Sequence, residues 1–368
     1  MDFDVSAYKN TLRSWVNFET PTGDEKRLKD FSSLVFHALE ACGAKTRLFE
    51  LPCGPVIHAV CGKGDKRCVL MGHMDTVFPL GEAEKYDEEN GRLYGAGVLD
   101  MKSGLLMLVT AFSEIAKAIP DGWQIEALIN SDEERGSLGS RETLLGVLSG
   151  AELVFSFEGN RENCLTVSRK GILTFEIGAK GVAAHTSGGA DKNKNAIYLL
   201  SRAVEAIYNA PLPEGASLNI GVIEGGKATN IVAECARMKG EIRGVTEEMM
   251  VETEKIIKDT AQRLNCQYTP MSFRPPMPPN EKTMRLFKAI QEIDGNLAAR
   301  AAGGGGDAAF ACRSGAWVID GVGPEGARAH TRREYVEEAS IEKRYKLSVN
   351  AILKCMKEFE TKICRLRR

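Results

Sequence analysis

No stretch of this 368-residue sequence approaches the ~18 consecutive apolar residues that a membrane-spanning helix needs. The opening segment MDFDVSAYKNTLRSW lacks both the basic n-region and the apolar h-region of an export signal. On both counts a soluble, cytoplasmic protein with no membrane partner is expected. A surplus of charge is missing too: 48 Lys and Arg against 50 Asp and Glu leave a net charge of −2, which removes the electrostatic case for nucleic acid or an anionic membrane. Ten cysteines contain no C-x-x-C, in a chain long enough to fold without staples, so reduced thiols are expected. No G-x-G-x-x-G follows the early strands, which argues against a dinucleotide-dependent oxidoreductase. Internal repeats and low-complexity tracts are also lacking.

What remains is the composition of a globular chain, 43% hydrophobic and 27% charged, long enough for two domains on a prior of ~100–200 residues each. Up to residue 170, apolar strands (KTRLFEL, VIHAVCG, CVLMG, QIEALIN, ELVFSFE) alternate with helical patterns such as LKDFSSLVFHALEACG and SGLLMLVTAFSEIAKAI. Nearly all-apolar strands in that setting predict an α/β sheet covered on both faces by helices. From residue 171 the order becomes β-α-β-β-α-β, from GILTFEIGAKG to CQYTPMSF, the signature of a small sandwich with helices on one face. The proline-rich RPPMPP then marks a junction, after which a helix, the strand WVIDGVG and a long C-terminal helix resume the first style. The chain therefore reads as one domain, 1–170 with 276–368, into which 171–275 is inserted.

The polar residues that follow the apolar strands form a pattern. After CVLMG come His73 and Asp75, after QIEALIN come Asp132, Glu133 and Glu134, after ELVFSF comes Glu158, and beyond WVIDGVG comes His330. In doubly wound sheets ligands bind outside the carboxyl ends of the strands, so these residues are expected to converge on one crevice. Asp100, in GAGVLDMKSG, precedes a helix whose N-terminal amides add positive potential there. Of the five histidines, His37 in a helical pattern and His58 inside a strand read as structural. His73, His185 and His330 sit just beyond strands, where a scaffold positions accessible side chains. Taken alone, Asp-Glu-Glu after a strand is a solvated turn and His-x-Asp a weak signal. Together, two histidines with Asp100, Glu134 and Glu158 make a mixed nitrogen and oxygen donor set suited to zinc, including a carboxylate that two ions could share. Asp75 would then orient His73, and Glu133, which no metal needs, would be available to take a proton from bound water.

The motifs GHMDTV, GAGVLDMKSG, NSDEERGSLGS, FSFEG and AHTRREYV resemble, in order and separation, those of the M20 metallopeptidases, most closely the carboxypeptidase G2-like branch, over essentially the whole chain. The resemblance implies a zinc-peptidase fold interrupted by a lid that also dimerises, here 171–275. It implies two zinc ions per chain, with Co2+ or Mn2+ as substitutes: Asp100 bridges them, His73 and Glu158 complete one, Glu134 and His330 the other. Glu133 becomes the general base and the Asp100–Met101 bond is cis. Glu158, at a position where the family carries Glu or Asp, is similar to the carboxypeptidases and deacylases. His185, in GVAAHTSGG, resembles the histidine that reaches the partner subunit's active site to stabilise the oxyanion. Asn230 in KATNIVA and Arg243 in GEIRG resemble the residues that hold a substrate carboxylate. GGGGDAAF, with Gly305, resembles the glycine loop beside the substrate; by residue type alone it is a flexible turn, and Arg243 a strand-end surface residue.

The implied activity is hydrolysis of the amide bond before a C-terminal amino acid. Deacylation of N-acyl amino acids is the nearest alternative, and a non-catalytic metal-binding dimer is the alternative from another class, against which the presence of Glu133 argues. Because the sequence shows no export signal, a cytosolic peptide or N-acyl amino acid is the expected substrate.

Overall fold

The apolar strands of the first segment assemble into a six-stranded mixed sheet in the order Lys45–Phe49, Val56–Gly62, Trp123–Asn130, Lys66–His73, Leu153–Ser156, Trp317–Ile319. The structure, a computed structural model, describes residues 3–189 and 191–364. The last four strands run parallel, whereas Val56–Gly62 is antiparallel to both its neighbours. Consecutive residues of the central strands are buried whichever face they point to, which requires cover on both sides. On one face that cover comes from helices including Val5–Asn17, Glu25–Ala41, Ser103–Ala116, Glu281–Gln291 and Glu338–Glu358, whose Leu12, Phe31, Phe112, Leu286 and Ile352 share one core with Leu70, Ile125 and Phe155. Outside that core, helix Ala308–Arg313 packs on strands Leu153–Ser156 and Trp317–Ile319, with Arg141–Leu148 against it. The first two helices start where aspartates predict they should: Asp4 and Asp24 accept hydrogen bonds from the Ala7 and Arg27 amides.

A feature absent from the sequence reading is a small antiparallel sheet of Gly326–Ala327, Tyr335–Glu337, Arg92–Tyr94 and Asp87–Glu89. Its strands are two or three residues long, too short to show a period-two pattern.

By its contacts the chain divides into two compact units. One comprises the chain up to Val167, Pro279–Ala301 and the chain from Gly306 onward; the other comprises Ser168–Pro278 and Ala302–Gly305. Ala302–Gly305 was expected with 276–368 but goes with the second unit, because Arg243 and Arg169 donate to the carbonyls of Gly303 and Gly305 at 2.9 and 3.0 Å and the Lys170 amide donates to Ala302. The second unit holds an antiparallel sheet in the order Ser217–Gly225, Cys235–Gly244, Gly171–Lys180, Gln267–Arg274. Leu173, Phe175, Ile177 and Ala179 alternate along its third strand and pack against Leu200, Ala203 and Ile207 of helix Ala196–Tyr208 and Met250, Ile257 and Ala261 of helix Glu247–Arg263. Both helices therefore cover the same face of that sheet. Among the described residues no helix is long and apolar enough to cross a membrane.

Candidate metal centre

Three neighbouring parallel strands, Trp123–Asn130, Lys66–His73 and Leu153–Ser156, end on one edge of the large sheet and deliver Glu133 and Glu134, His73, and Glu158 there. The small sheet supplies the rest. Tyr94 pairs with Tyr335, so the chain leaving one strand towards Asp100 lies beside the chain arriving from His330 at the other. Glu334 accepts hydrogen bonds from the amides of Gly97 (3.1 Å), Leu99 (2.7 Å) and Asp100 (2.9 Å), fixing the Asp100 segment. The Asp100–Met101 peptide is cis. Helix Ser103–Ala116 follows at once, and Gly104 lets it approach so closely that a Cβ there would lie 2.0 Å from the Phe157 carbonyl, next to Glu158.

The five expected ligands form one cluster. His73 Nε2 is 3.1 Å from Asp100 Oδ1 and 3.6 Å from Glu158 Oε1, while His330 Nε2 is 3.0 Å from Asp100 Oδ2 and 3.1 Å from Glu134 Oε2. Each Asp100 oxygen thus faces a different histidine. Donor atoms of His73, Asp100 and Glu134 all lie within 4.8 Å of one another. His330 has a φ of 63°, a left-handed conformation unusual for a residue with a side chain and found disproportionately at functional sites. Asp75, fully buried, orients several of these groups at once. His73 Nδ1 lies 3.1 Å from its carbonyl and 3.3 Å from its Oδ1, which turns Nε2 towards Asp100. Its carboxylate also accepts from the amides of Glu133 (3.1 Å) and Glu134 (3.2 Å) and from the Thr22 hydroxyl. Glu133, itself buried, is therefore held beside the cluster by its backbone.

The charges are strongly coupled. Burial works against ionisation of Asp100, yet hydrogen bonds from His330 and His73 outweigh it and hold the carboxyl far below its ordinary range. Burial likewise opposes charge on His73, but Asp100 and Asp75 prevail and raise its pKa. The hydrogen bonds to Asp100 and Glu134 push His330 up to about 11. Glu134 moves up to about 8, chiefly through burial and then through the Asp100 charge. Protons on the two imidazoles are what balance the carboxylates, a task a divalent cation would take over.

The residues fit such a cation. Glu134 Oε1 is buried with no hydrogen-bond partner, which is costly unless a ligand completes it. Two donors ~2.0–2.2 Å from one tetrahedral zinc lie ~3.3–3.5 Å apart, close to the separations seen here. Imidazole with carboxylate is also a donor mix that zinc accepts.

Sequence reasoning missed two buried acids that support this centre. Glu334, within AHTRREYV, clamps the Asp100 segment, and Asp307 binds the turn that carries Glu133 and Glu134. Neither has a local signal, since their partners lie far away in the chain.

His185, Asn230, Arg243 and Gly305 all belong to the second unit. His185 and Asn230 stand together: His185 bridges to Ile231, and the Thr186 amide donates to the Asn230 carbonyl. The Ser187 amide donates to His185 Nδ1, which leaves Nε2 as the protonated nitrogen of the neutral ring. Arg243 lies at the other end of strand Cys235–Gly244, bonded to Glu241 and to the Gly303 carbonyl. The resemblance assigns Asn230 and Arg243 alike to a substrate carboxylate; Asn230 precedes the Cys235 end of the strand, and the eight steps of ~3.3 Å from Cys235 to Arg243 span ~26 Å. Asn230 and Arg243 of one copy therefore do not close on a single carboxylate.

The sequence model of peptidase family M20/M25/M40 matches residues 69–354. The chain is 27% identical over 364 residues to carboxypeptidase G2 of Pseudomonas sp. (strain RS-16), covering 93% of this chain and 88% of that one. It is 25% identical over 335 residues to a succinyl-diaminopimelate desuccinylase of Rickettsia bellii (strain RML369-C), covering 82% and 84%. In three dimensions it resembles an M20 family metallo-carboxypeptidase from Sulfolobus solfataricus with a TM-score of 0.77, 15% identity and coverage of 97% and 99%. A tripeptidase from Staphylococcus aureus superposes with a TM-score of 0.78 at 22% identity, covering 96% and 99%.

Proposed function

The chain belongs to peptidase family M20/M25/M40, and from that premise we propose that it is a two-zinc hydrolase cutting the amide bond before a free C-terminal amino acid. The observation that carries the reading is Asp100, whose two oxygens face His73 and His330 separately, with Glu158 beyond the first and Glu134 beyond the second. His73, Asp100 and Glu158 would hold one ion, and His330, Asp100 and Glu134 the other. When bound, the ions would supply Lewis-acid polarisation of the scissile carbonyl and activation of water.

The chain's own residues do the remainder. Asp75 keeps His73 in one orientation and pins the Glu133 backbone. Glu133 takes a proton from the attacking water and delivers it to the leaving amine nitrogen. His185 offers Nε2–H to the oxygen that gains charge. Arg243 presents a planar fork of donors matched to the substrate carboxylate. Because Asn230 and His185 stand together at the opposite end of the strand from Arg243, both ends would meet one substrate only if two copies contributed them. That favours a homodimer formed through the second unit acting as the lid.

Deacylation of N-acyl amino acids is the second reading, favoured by the similarity to a succinyl-diaminopimelate desuccinylase. Both readings demand a free carboxylate on the amine-derived side of the scissile bond. Amidating the C-terminus of a cleaved peptide should lower kcat/KM by ~10²-fold or more, because the guanidinium loses its partner, while N-terminal acylation is tolerated. Equal cleavage of the amidated peptide together with a requirement for a free amine would make the protein an aminopeptidase.

A further inference from the structure

The turn that carries Glu133 and Glu134 is held mostly by its own sequence. The Arg135 and Ser137 amides donate to the Asp132 carbonyl, the Gly136 amide donates to Glu133, and the Asp132 carboxylate accepts from the Gly139 and Ser140 amides and the Ser140 hydroxyl. These bonds close a compact loop but do not fix it against the rest of the molecule. The loop also contains an unfavourable stretch: Gly136 and Ser137 are consecutive left-handed residues at φ 85° and 53°, and Ser137 has a side chain. Asp75 pins the Glu133 and Glu134 amides on one side of the turn; the Gly136–Ser137 side needs an anchor of its own.

Asp307 is that anchor, from about 170 positions away in the chain. Its Oδ1 accepts from the Ser137 hydroxyl at 2.6 Å, and its Oδ2 accepts from the Asn130 side-chain amide at 2.8 Å. All three residues are buried. Asn130 ends the strand that leads into the turn, its side chain also reaches the Ser137 and Ser140 hydroxyls, and its carbonyl accepts from the amide of Met74, which sits between His73 and Asp75. One carboxylate thus ties the far side of the Glu133 turn to the strand end that also carries the His73 segment. Asp307 directly precedes the short helix Ala308–Arg313 and follows the glycines 303–306, so its own backbone is anchored on one side by a helix packed in the core.

We infer that Asp307 is a positioning residue for the Glu133–Glu134 turn, acting through Ser137 and Asn130 to hold Glu134 at the metal and Glu133 at the substrate. The inference rests on the two-zinc reading and adds a residue that touches neither metal nor substrate. Groups that orient ligands from behind are worth ~10- to 100-fold in metal affinity or activity. Asp307 should therefore act chiefly on the half of the centre built from Glu134 and His330, which the turn itself carries, and less on the His73–Glu158 half, which it reaches only through the Asn130 carbonyl.

The test is a calorimetric zinc titration of Asp307→Ala, Asp307→Asn and Ser137→Ala, with kcat and KM at saturating zinc and a melting curve for each. Asp307→Ala should weaken one of the two zinc affinities by ~10- to 100-fold and lower kcat at saturating zinc with KM little changed. Asp307→Asn keeps an acceptor for Asn130 and a donor for the Ser137 hydroxyl, so it should recover most of both. Ser137→Ala cuts only the link to the turn; it should repeat the pattern more mildly and replaces Asp307→Ala if that variant does not fold. Unchanged zinc affinities and kcat in a folded Asp307→Ala or Ser137→Ala protein would overturn the inference. So would a lower melting temperature with both zinc affinities intact, the mark of a purely structural role. Wild-type protein that binds no zinc would sink the reading of the centre and this inference with it, whereas normal wild-type binding with unaffected variants sinks the inference alone.

Discussion

Glu133 and Glu134 are adjacent carboxylates with different fates. Glu134 sets Oε2 beside His330 in the cluster and keeps a buried, unpartnered Oε1, as a ligand short of its metal would, while Glu133 is held next to it through its backbone amide. If Glu133 moves a proton rather than holding metal, Glu133→Gln should keep its full zinc complement and lose at least ~10²-fold in kcat. Near wild-type turnover of the fully loaded variant would refute that role. At this scale most of the cluster could be read in advance, because His73 ends an apolar strand, Glu133, Glu134 and Glu158 each stand just beyond one, and carboxyl strand ends are where such sheets place ligands. Glu334 could not be read. It looks like any charged residue in RREYV, and only folding shows three amides from 234–237 positions earlier converging on it.

Among the elements, long ones were legible and short ones were not. Continuous apolar runs announce Lys66–His73 and Trp123–Asn130, and alternation announces Gly171–Lys180, because many residues repeat one burial rule. The four strands of the small sheet have two or three residues each and no rule to repeat, yet they set Asp100 beside His330. Glu334, immediately before strand Tyr335–Glu337, clamps the Asp100 segment there. Burial raises the Glu334 carboxyl to about 7 with help from the Asp100 charge, against the pull of its three amide donors. Glu334→Ala would strand those buried amides at ~1–3 kcal/mol each and loosen Asp100. Both the melting temperature and zinc retention should fall, with Glu334→Gln intermediate because its carbonyl oxygen still accepts. A Glu334→Ala protein as stable as wild type and equally tight for zinc would show that the clamp does not position Asp100.

For the whole molecule, the mixed sheet with a separate antiparallel sheet is the arrangement of the M20 structures it resembles, and the change of pattern near residue 171 made the second sheet legible from periodicity. The ~26 Å of strand between Cys235 and Arg243 was not legible, since family motifs carry residue identities and no distances. That separation is why two copies are proposed to build each site. Mixing His185→Ala with Glu133→Gln, each inactive alone, should restore activity as subunits exchange, because one site of the heterodimer regains both residues. Verified exchange without recovered activity would confine His185 to its own chain or to a structural part.

The claim beneath all of these is that His73, Asp100, Glu134, Glu158 and His330 together hold two metal ions. Elemental analysis of protein reconstituted with excess zinc near neutral pH and then desalted measures it directly. About two zinc ions per chain are expected, with fewer retained on acidification as His73 and His330, whose pKa values the carboxylates raise, take back the protons that zinc displaces. A zinc content near zero in protein whose fold is intact would contradict the account.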